Sequence, residues 1–136
     1  MTSLSDILVF NFKLFEDDGG FLVPVTGNED FPFPIKRVFY VYGPLGGKVR
    51  GDHAHHKCEQ VLIALQGSLE VTCHDGTDEK TYLLDTPNKA IYVPAGVWSK
   101  EKYYCDKTIL MAFCSKKYAK ADYINDFSEY LEWKNS

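Results

Sequence analysis

Three of the four histidines in this chain, His53, His55 and His56, fall within four consecutive positions, and Arg50, one of only two arginines, stands just before them. Runs that read as strands flank this stretch, RVFYVYG before it and QVLIALQG after it. Alternate side chains of an extended chain share a face, so His53 and His55 point together and His56 points away. Imidazole titrates at about pH 6.5 and can take and return a proton at neutral pH. Polar groups converging in a concavity are costly to desolvate without use. The pair beside Arg50 therefore predicts acid–base chemistry on a small molecule. Lys36, Arg37, Lys48, Arg50 and Lys57 make the region locally basic, although the chain carries a net charge of −4.

The elements that must hold these groups follow from pattern and length. A chain of 136 residues predicts one domain, residues 1–136, with a single substantial core. Ile35 to Tyr42 alternates and is rich in β-branched and aromatic residues, which predicts a strand with Val38, Tyr40 and Tyr42 on one face. Gly43, Pro44, Gly46 and Gly47 end it. Gln60 to Gln66, Leu69 to Cys73, Lys80 to Leu84, Ala90 to Val93 and Thr108 to Phe113 read as further strands. Asp75-Gly76 and Pro94-Ala-Gly96 read as turns. Leu4 to Leu14 and Phe21 to Val25 read as an N-terminal hairpin around Asp17 to Gly20. Phe31-Pro-Phe-Pro reads as an extended linker with exposed aromatics. Tyr123, Phe127, Tyr130 and Leu131 recur at helical spacing, predicting a short C-terminal helix capped near Asp122 or earlier. About eight to ten short strands predict an all-β jelly-roll barrel or sandwich with a ligand-holding mouth.

Composition narrows the partners. The acidic balance argues against nucleic acid. No run approaches the ~18 apolar residues of a membrane span, and MTSLSDILVF lacks a basic region ahead of an apolar stretch, so a cytoplasmic protein is expected. Cys58, Cys73, Cys105 and Cys114 show no CxxC spacing and read as free thiols, Cys73 and Cys114 as buried ones.

From Gly47 the chain resembles the cupin superfamily. Gly47 is followed by five residues, His53-Ala-His55, four residues, Gln60, six residues and Gly67. The spacing fits the first cupin motif, with Gln60 in the place of the acidic ligand. Pro94-Ala-Gly96-Val-Trp98-Ser99 fits the second motif, with Ser99 where a third histidine ligand would stand and Asn88 at the upstream glycine position. Two imidazoles, an amide and a hydroxyl are a poor donor set for a divalent cation, so no metal is expected.

A closer resemblance is to the sugar 3,4-ketoisomerases of that superfamily. IKRVFYVYG, RGDHAHHKCEQVLIALQGSLEV, LLDTPNKAIYVPAGVW and the late Asp122-Tyr-Ile124 carry it over nearly the whole chain. It implies an isomerase acting on dTDP-4-keto-6-deoxyglucose, with no cofactor, that forms the 3-keto sugar through an enediol. It also implies a homodimer with exchanged N-terminal strands, and a place in amino-deoxysugar synthesis for a surface glycan such as lipopolysaccharide O-antigen. By the resemblance His53 is the base and His55 a second acid–base or orienting group. Tyr40 is the active-site tyrosine, with Tyr42 on the same face as the fallback. Arg50, with Lys48 or Arg37, holds the diphosphate. Gln60, Ser99 and Trp98 are further substrate-binding candidates. Trp133 and the Lys116, Lys117 and Lys120 cluster read as packing and solvated surface. The alternatives weighed are a dTDP-sugar 3,5-epimerase, a metal-dependent cupin such as an oxygenase, and a non-catalytic nucleotide-sugar-binding cupin.

Overall fold

The structure, a computed structural model, describes residues 2–43 and 46–136. The strands are β1 (Leu8–Asn11), β2 (Phe15–Asp17), β3 (Gly20–Leu22), β4 (Arg37–Val41), β5 (Val49–His55), β6 (Gln60–Gln66), β7 (Leu69–His74), β8 (Glu79–Leu84), β9 (Lys89–Val93), β10 (Trp98–Tyr103), β11 (Ile109–Cys114) and β12 (Tyr123–Ile124), and one helix, α1 (Phe127–Lys134), follows them. One sheet runs β1-β9-β6-β11-β4, the other β12-β5-β10-β7-β8, and β2-β3 is a separate hairpin. Pairing within the sheets is antiparallel, as in β11–β6 and β10–β7.

The two sheets face each other across an apolar core. Leu62, Ala64, Ile91, Val93, Leu110 and Ala112 come from one side, and Leu69, Val71, Cys73 and Tyr103 from the other. The β6 run QVLIALQ is buried on both faces over its first five residues, which explains its unbroken apolar pattern. Its second face is covered by the N-terminal segment. Phe12, Phe31 and Phe33 pack there against Val61, Ile63, Tyr92 and Phe113. Phe31 and Phe33 are 5% and 1% exposed, so the expected exposed linker is instead a lid on the sheet. The expected turn after β4 includes Pro44, which lies outside the described residues.

Other expectations need adjustment. The region from Leu4 starts with a 3-10 turn, Leu4–Asp6, closed by a capping box from Ser3. β1 pairs with β9, not with the next strand, and the hairpin forms later in the chain, with Phe15 opposite Leu22. The helix begins after Asp126, whose side chain accepts the Glu129 N–H at 3.0 Å. Tyr123 belongs to β12, which pairs with β5 at His55. Tyr130 and Leu131 turn inward with Trp98, Ala54 and Ile124, clamping α1 on the outer face of the second sheet. β10 was not expected, because the charged run Lys100-Glu101-Lys102 hides its alternation. Cys73 and Cys114 are fully buried free thiols.

Candidate active site

At the end of the sandwich where β4, β5 and β10 meet, inward positions become polar and the core stops filling the space. A cavity of 360 Å³ opens there, lined by Arg37, Arg50, His53, Gln60, Glu101 and Tyr123, with Phe39, Val41 and Leu110 as its apolar wall. Concave sites with a few convergent polar groups are where small molecules bind. Surface grooves of 710 and 750 Å³ exist elsewhere, but neither holds His53 or an arginine.

His53 enters from β5, just past a register shift between Ser99–His53 and Glu101–Arg50. Two β5 residues, Gly51 and Asp52, oppose the single Lys100 of β10 there, and Gly51, at φ +85°, supplies the turn of the bulge. Burial, then the neighbouring His55, push the His53 imidazole down to about 4 against the pull of Asp52. It is therefore a neutral base at pH 7. His55 lies behind it, 7% exposed, with the ring centroids 4.9 Å apart at 88°. His55 Nδ1 stands 3.1 Å from Asp122 Oδ2. A carboxylate only accepts, so this nitrogen carries the proton and Nε2 is bare. Asp122 also accepts the N–H groups of Lys57 at 2.8 Å and Cys58 at 3.2 Å. One carboxylate thus orients His55 and ties down the turn after β5.

Tyr123, which sequence reasoning placed on a helix, is a wall of the site. Its ring lies 4.8 Å from His53 and 4.4 Å from His55. Its hydroxyl accepts from Arg37 Nη1 at 3.3 Å. The Asp-Tyr-Ile triplet was the signal for it. Glu101 and Tyr103 were missed with β10.

Several expected site residues lie elsewhere. The strand alternation in β4 is right, but the inward face is Arg37, Phe39 and Val41. Tyr40 and Tyr42 stand on the outer face, 61% and 70% exposed, stacked 6.0 Å apart. Trp98 also faces outward. Its Nε1–H donates to Asp52 at 2.9 Å and its ring packs against Phe127 and Tyr130. Ser99 is buried opposite His53, Lys48 is exposed, and neither they nor His55 line the cavity. Tyr40→Phe is therefore expected to keep wild-type turnover and to change stability by no more than ~0.5 kcal/mol, as steady-state kinetics and thermal melts would show.

The cupin metal positions do not suit an ion here. They offer two imidazoles, the Gln60 amide, which reaches toward Cys114 Sγ at 3.6 Å, and a hydroxyl, with no anionic donor among them. Among the described residues, the one cluster of ligand-type atoms is His55, Cys58 and Asp122, and its imidazole and carboxylate already bind each other. The arrangement is a cupin-type barrel in which His53, two arginines and a buried carboxyl converge on one cavity.

The comparisons with known proteins agree. The family model described as FdtA, WxcM-like, C-terminal, matches residues 5–135, and the chain belongs to this family. It is 37% identical over 125 residues to TDP-4-oxo-6-deoxy-alpha-D-glucose-3,4-oxoisomerase of Aneurinibacillus thermoaerophilus, covering 92% of this chain and 90% of that one. A 3,4-ketoisomerase from Helicobacter canadensis superposes with TM-score 0.93 at 32% identity, over 96% of this chain and 98% of the other. The sugar 3,4-ketoisomerase QdtA of Thermoanaerobacterium thermosaccharolyticum, in complex with TDP, also gives 0.93 at 32%, over 98% and 97%. A point mutant of that enzyme is seen with TDP-4-keto-6-deoxyglucose.

Proposed function

We propose that this protein moves the carbonyl of TDP-4-keto-6-deoxyglucose from C4 to C3. The observation that carries the reading is the neutral His53 in a cavity shared with two guanidiniums. Neutral His53 removes the proton from C3, which the adjacent ketone acidifies, and a C3=C4 enediol forms. A proton then returns to carbon at C4, leaving the ketone at C3. Arg37 and Arg50 pair with the diphosphate, for which the planar, doubly donating guanidinium is suited. Gln60 supplies a neutral amide to a sugar hydroxyl. His55, fixed by Asp122, holds the His53 ring. No step is routed through a metal.

Carbon NMR of the product tests this. A carbonyl at C3 is the expected result. Deuterium from solvent at C5, with the carbonyl still at C4, would favour the epimerase. Binding of TDP without turnover would favour the non-catalytic cupin.

The product would feed transamination toward an amino-deoxysugar for a surface glycan, and the four free thiols suit a reducing cytoplasm. Among the described residues, no helix is long and apolar enough to cross a membrane. A homodimer with exchanged N-terminal strands is part of the same reading. Phe15, Phe21 and Leu22 of the hairpin, with Val38 and Tyr40 of the edge strand β4 and Tyr42 just past its end, leave large apolar side chains in solvent. Patches of this kind mark association surfaces. Light scattering is expected to give twice the chain mass, and a monomer would contradict it.

A further inference from the structure

β10 sends Ser99, Glu101 and Tyr103 toward the interior. Glu101 is 5% exposed, and it opens onto the same cavity as His53. Burying a carboxyl is costly, and the usual remedy is an ion pair. Arg50 sits across the ladder from it, yet among the described residues the one charged contact within 4.0 Å is His55–Asp122. Glu101 is thus not consumed as a structural counter-ion. Its carboxyl fills the space that Gly51 leaves, since a Cβ at residue 51 would collide with Glu101 Oε2. The bulge that aims His53 therefore also makes room for an acid on the cavity wall.

We propose, resting on the ketoisomerase reading, that Glu101 is the second proton-transfer group, a neutral acid that exchanges protons with the two oxygens of the enediol. The step balances. The C3–H bond breaks, and its proton goes to His53, which becomes imidazolium. The electron pair forms C3=C4, and the C4 carbonyl oxygen takes the proton from the Glu101 carboxyl. The carboxylate so formed then removes the proton from the C3 hydroxyl as the C3 carbonyl closes. The C3=C4 pair collects the proton held by the imidazolium at C4. Both residues end as they began, and no co-reactant is consumed. A carboxyl has one donating and one accepting oxygen on the same carbon, which suits two oxygens on neighbouring carbons. A neutral carboxylic acid in an apolar site is a known way to meet a developing enolate.

The surroundings favour the acid form. Burial raises the Glu101 carboxyl to about 8, Arg50 opposes this and Asp52 reinforces it. The groups that face it are Arg50, Asp52 and His53 from β5, Cys73 from β7 and Tyr103 beside it on β10. Arg37 lies across the cavity. Within one pocket the base is pushed down and the acid up, the separation that acid–base pairs need.

Glu101→Gln keeps the shape and removes the transferable proton. With TDP-4-keto-6-deoxyglucose as substrate, kcat should fall about 10²-fold or more while KM stays near wild type. The wild-type kcat should decline as pH rises through about 8, and this limb should be missing from the residual activity of E101Q, a change that a structural residue would not cause. E101Q with wild-type kcat overturns the proposal. If E101Q does not fold, the wild-type profile decides, and a kcat that stays flat through that range overturns it. If the wild type moves no carbonyl, the ketoisomerase reading itself fails. If the wild type turns over and E101Q matches it, only the Glu101 assignment falls.

Discussion

His53→Asn is expected to lower kcat by about 10²–10⁴-fold, the usual contribution of a placed general base, with little change in KM. Asparagine keeps the polarity and nearly the reach of the side chain but cannot take a proton from carbon. The arginines that hold the diphosphate are untouched, so substrate should still bind. The same residue sets the acid limb of the rate profile. Its imidazole is held down at about 4, so wild-type activity should persist well below pH 6.5, the ordinary imidazole midpoint. Stability follows the same logic with a definite sign. Between these two values the unfolded chain binds a proton at this position and the folded chain does not. Stability therefore rises with pH across that window and is lost as pH falls through it. The H53N variant should show a flatter dependence there in thermal melts followed from acid to neutral pH.

Asp122→Asn is expected to cost both activity and stability. The carboxylate accepts three hydrogen bonds, from His55 Nδ1 and from the Lys57 and Cys58 backbone. An amide offers one acceptor and one donor in their place. If its NH₂ group faces His55 Nδ1, the imidazole must shift its proton to Nε2, a buried atom with no partner. If its oxygen faces His55 instead, the exposed Lys57 N–H loses its acceptor and turns to water. The buried Nε2–H left without a partner in the first arrangement costs about 1–3 kcal/mol, which thermal melts would read. A wrongly protonated His55 no longer holds the edge-to-face contact with His53, and kcat should drop toward the lower end of the acid–base range, about 10²-fold. Because Asp122 touches neither arginine, TDP affinity should be preserved, as calorimetry would show.

Much of this site is legible in the sequence. Period-two alternation places His53 and His55 together, and motif spacing brings Gln60 and Arg50 to them. The errors have specific physical sources. Alternation says which residues share a face, not which face is inside. In β4 both faces carry large side chains, and the outward tyrosines read as well as the inward Arg37 and Phe39. The fold adds ambiguity, because the first sheet is covered on both sides, by the core and by Phe31 and Phe33. β10 escapes notice because Glu101 is an inward carboxyl between two lysines, and pattern reading assigns such runs to solvent. Tyr123 is hidden by periodicity, since its spacing to Phe127 and Tyr130 fits a helix that starts only after Asp126. In β10 and β12 the residues that break the local rules are the ones that face the cavity, and such conflicts concentrate at functional sites.

The most direct test is solvent exchange during turnover. TDP-4-keto-6-deoxyglucose would be incubated in deuterated water with wild-type protein and with H53N after chelator treatment, and each sugar carbon followed by NMR. The wild type should wash out the C3 hydrogen and produce the 3-keto sugar, and H53N should do neither at a comparable rate. Exchange at C3 that survives in H53N, or wild-type turnover that stops on chelation and returns with an added metal ion, would contradict the assignment of His53 as the base.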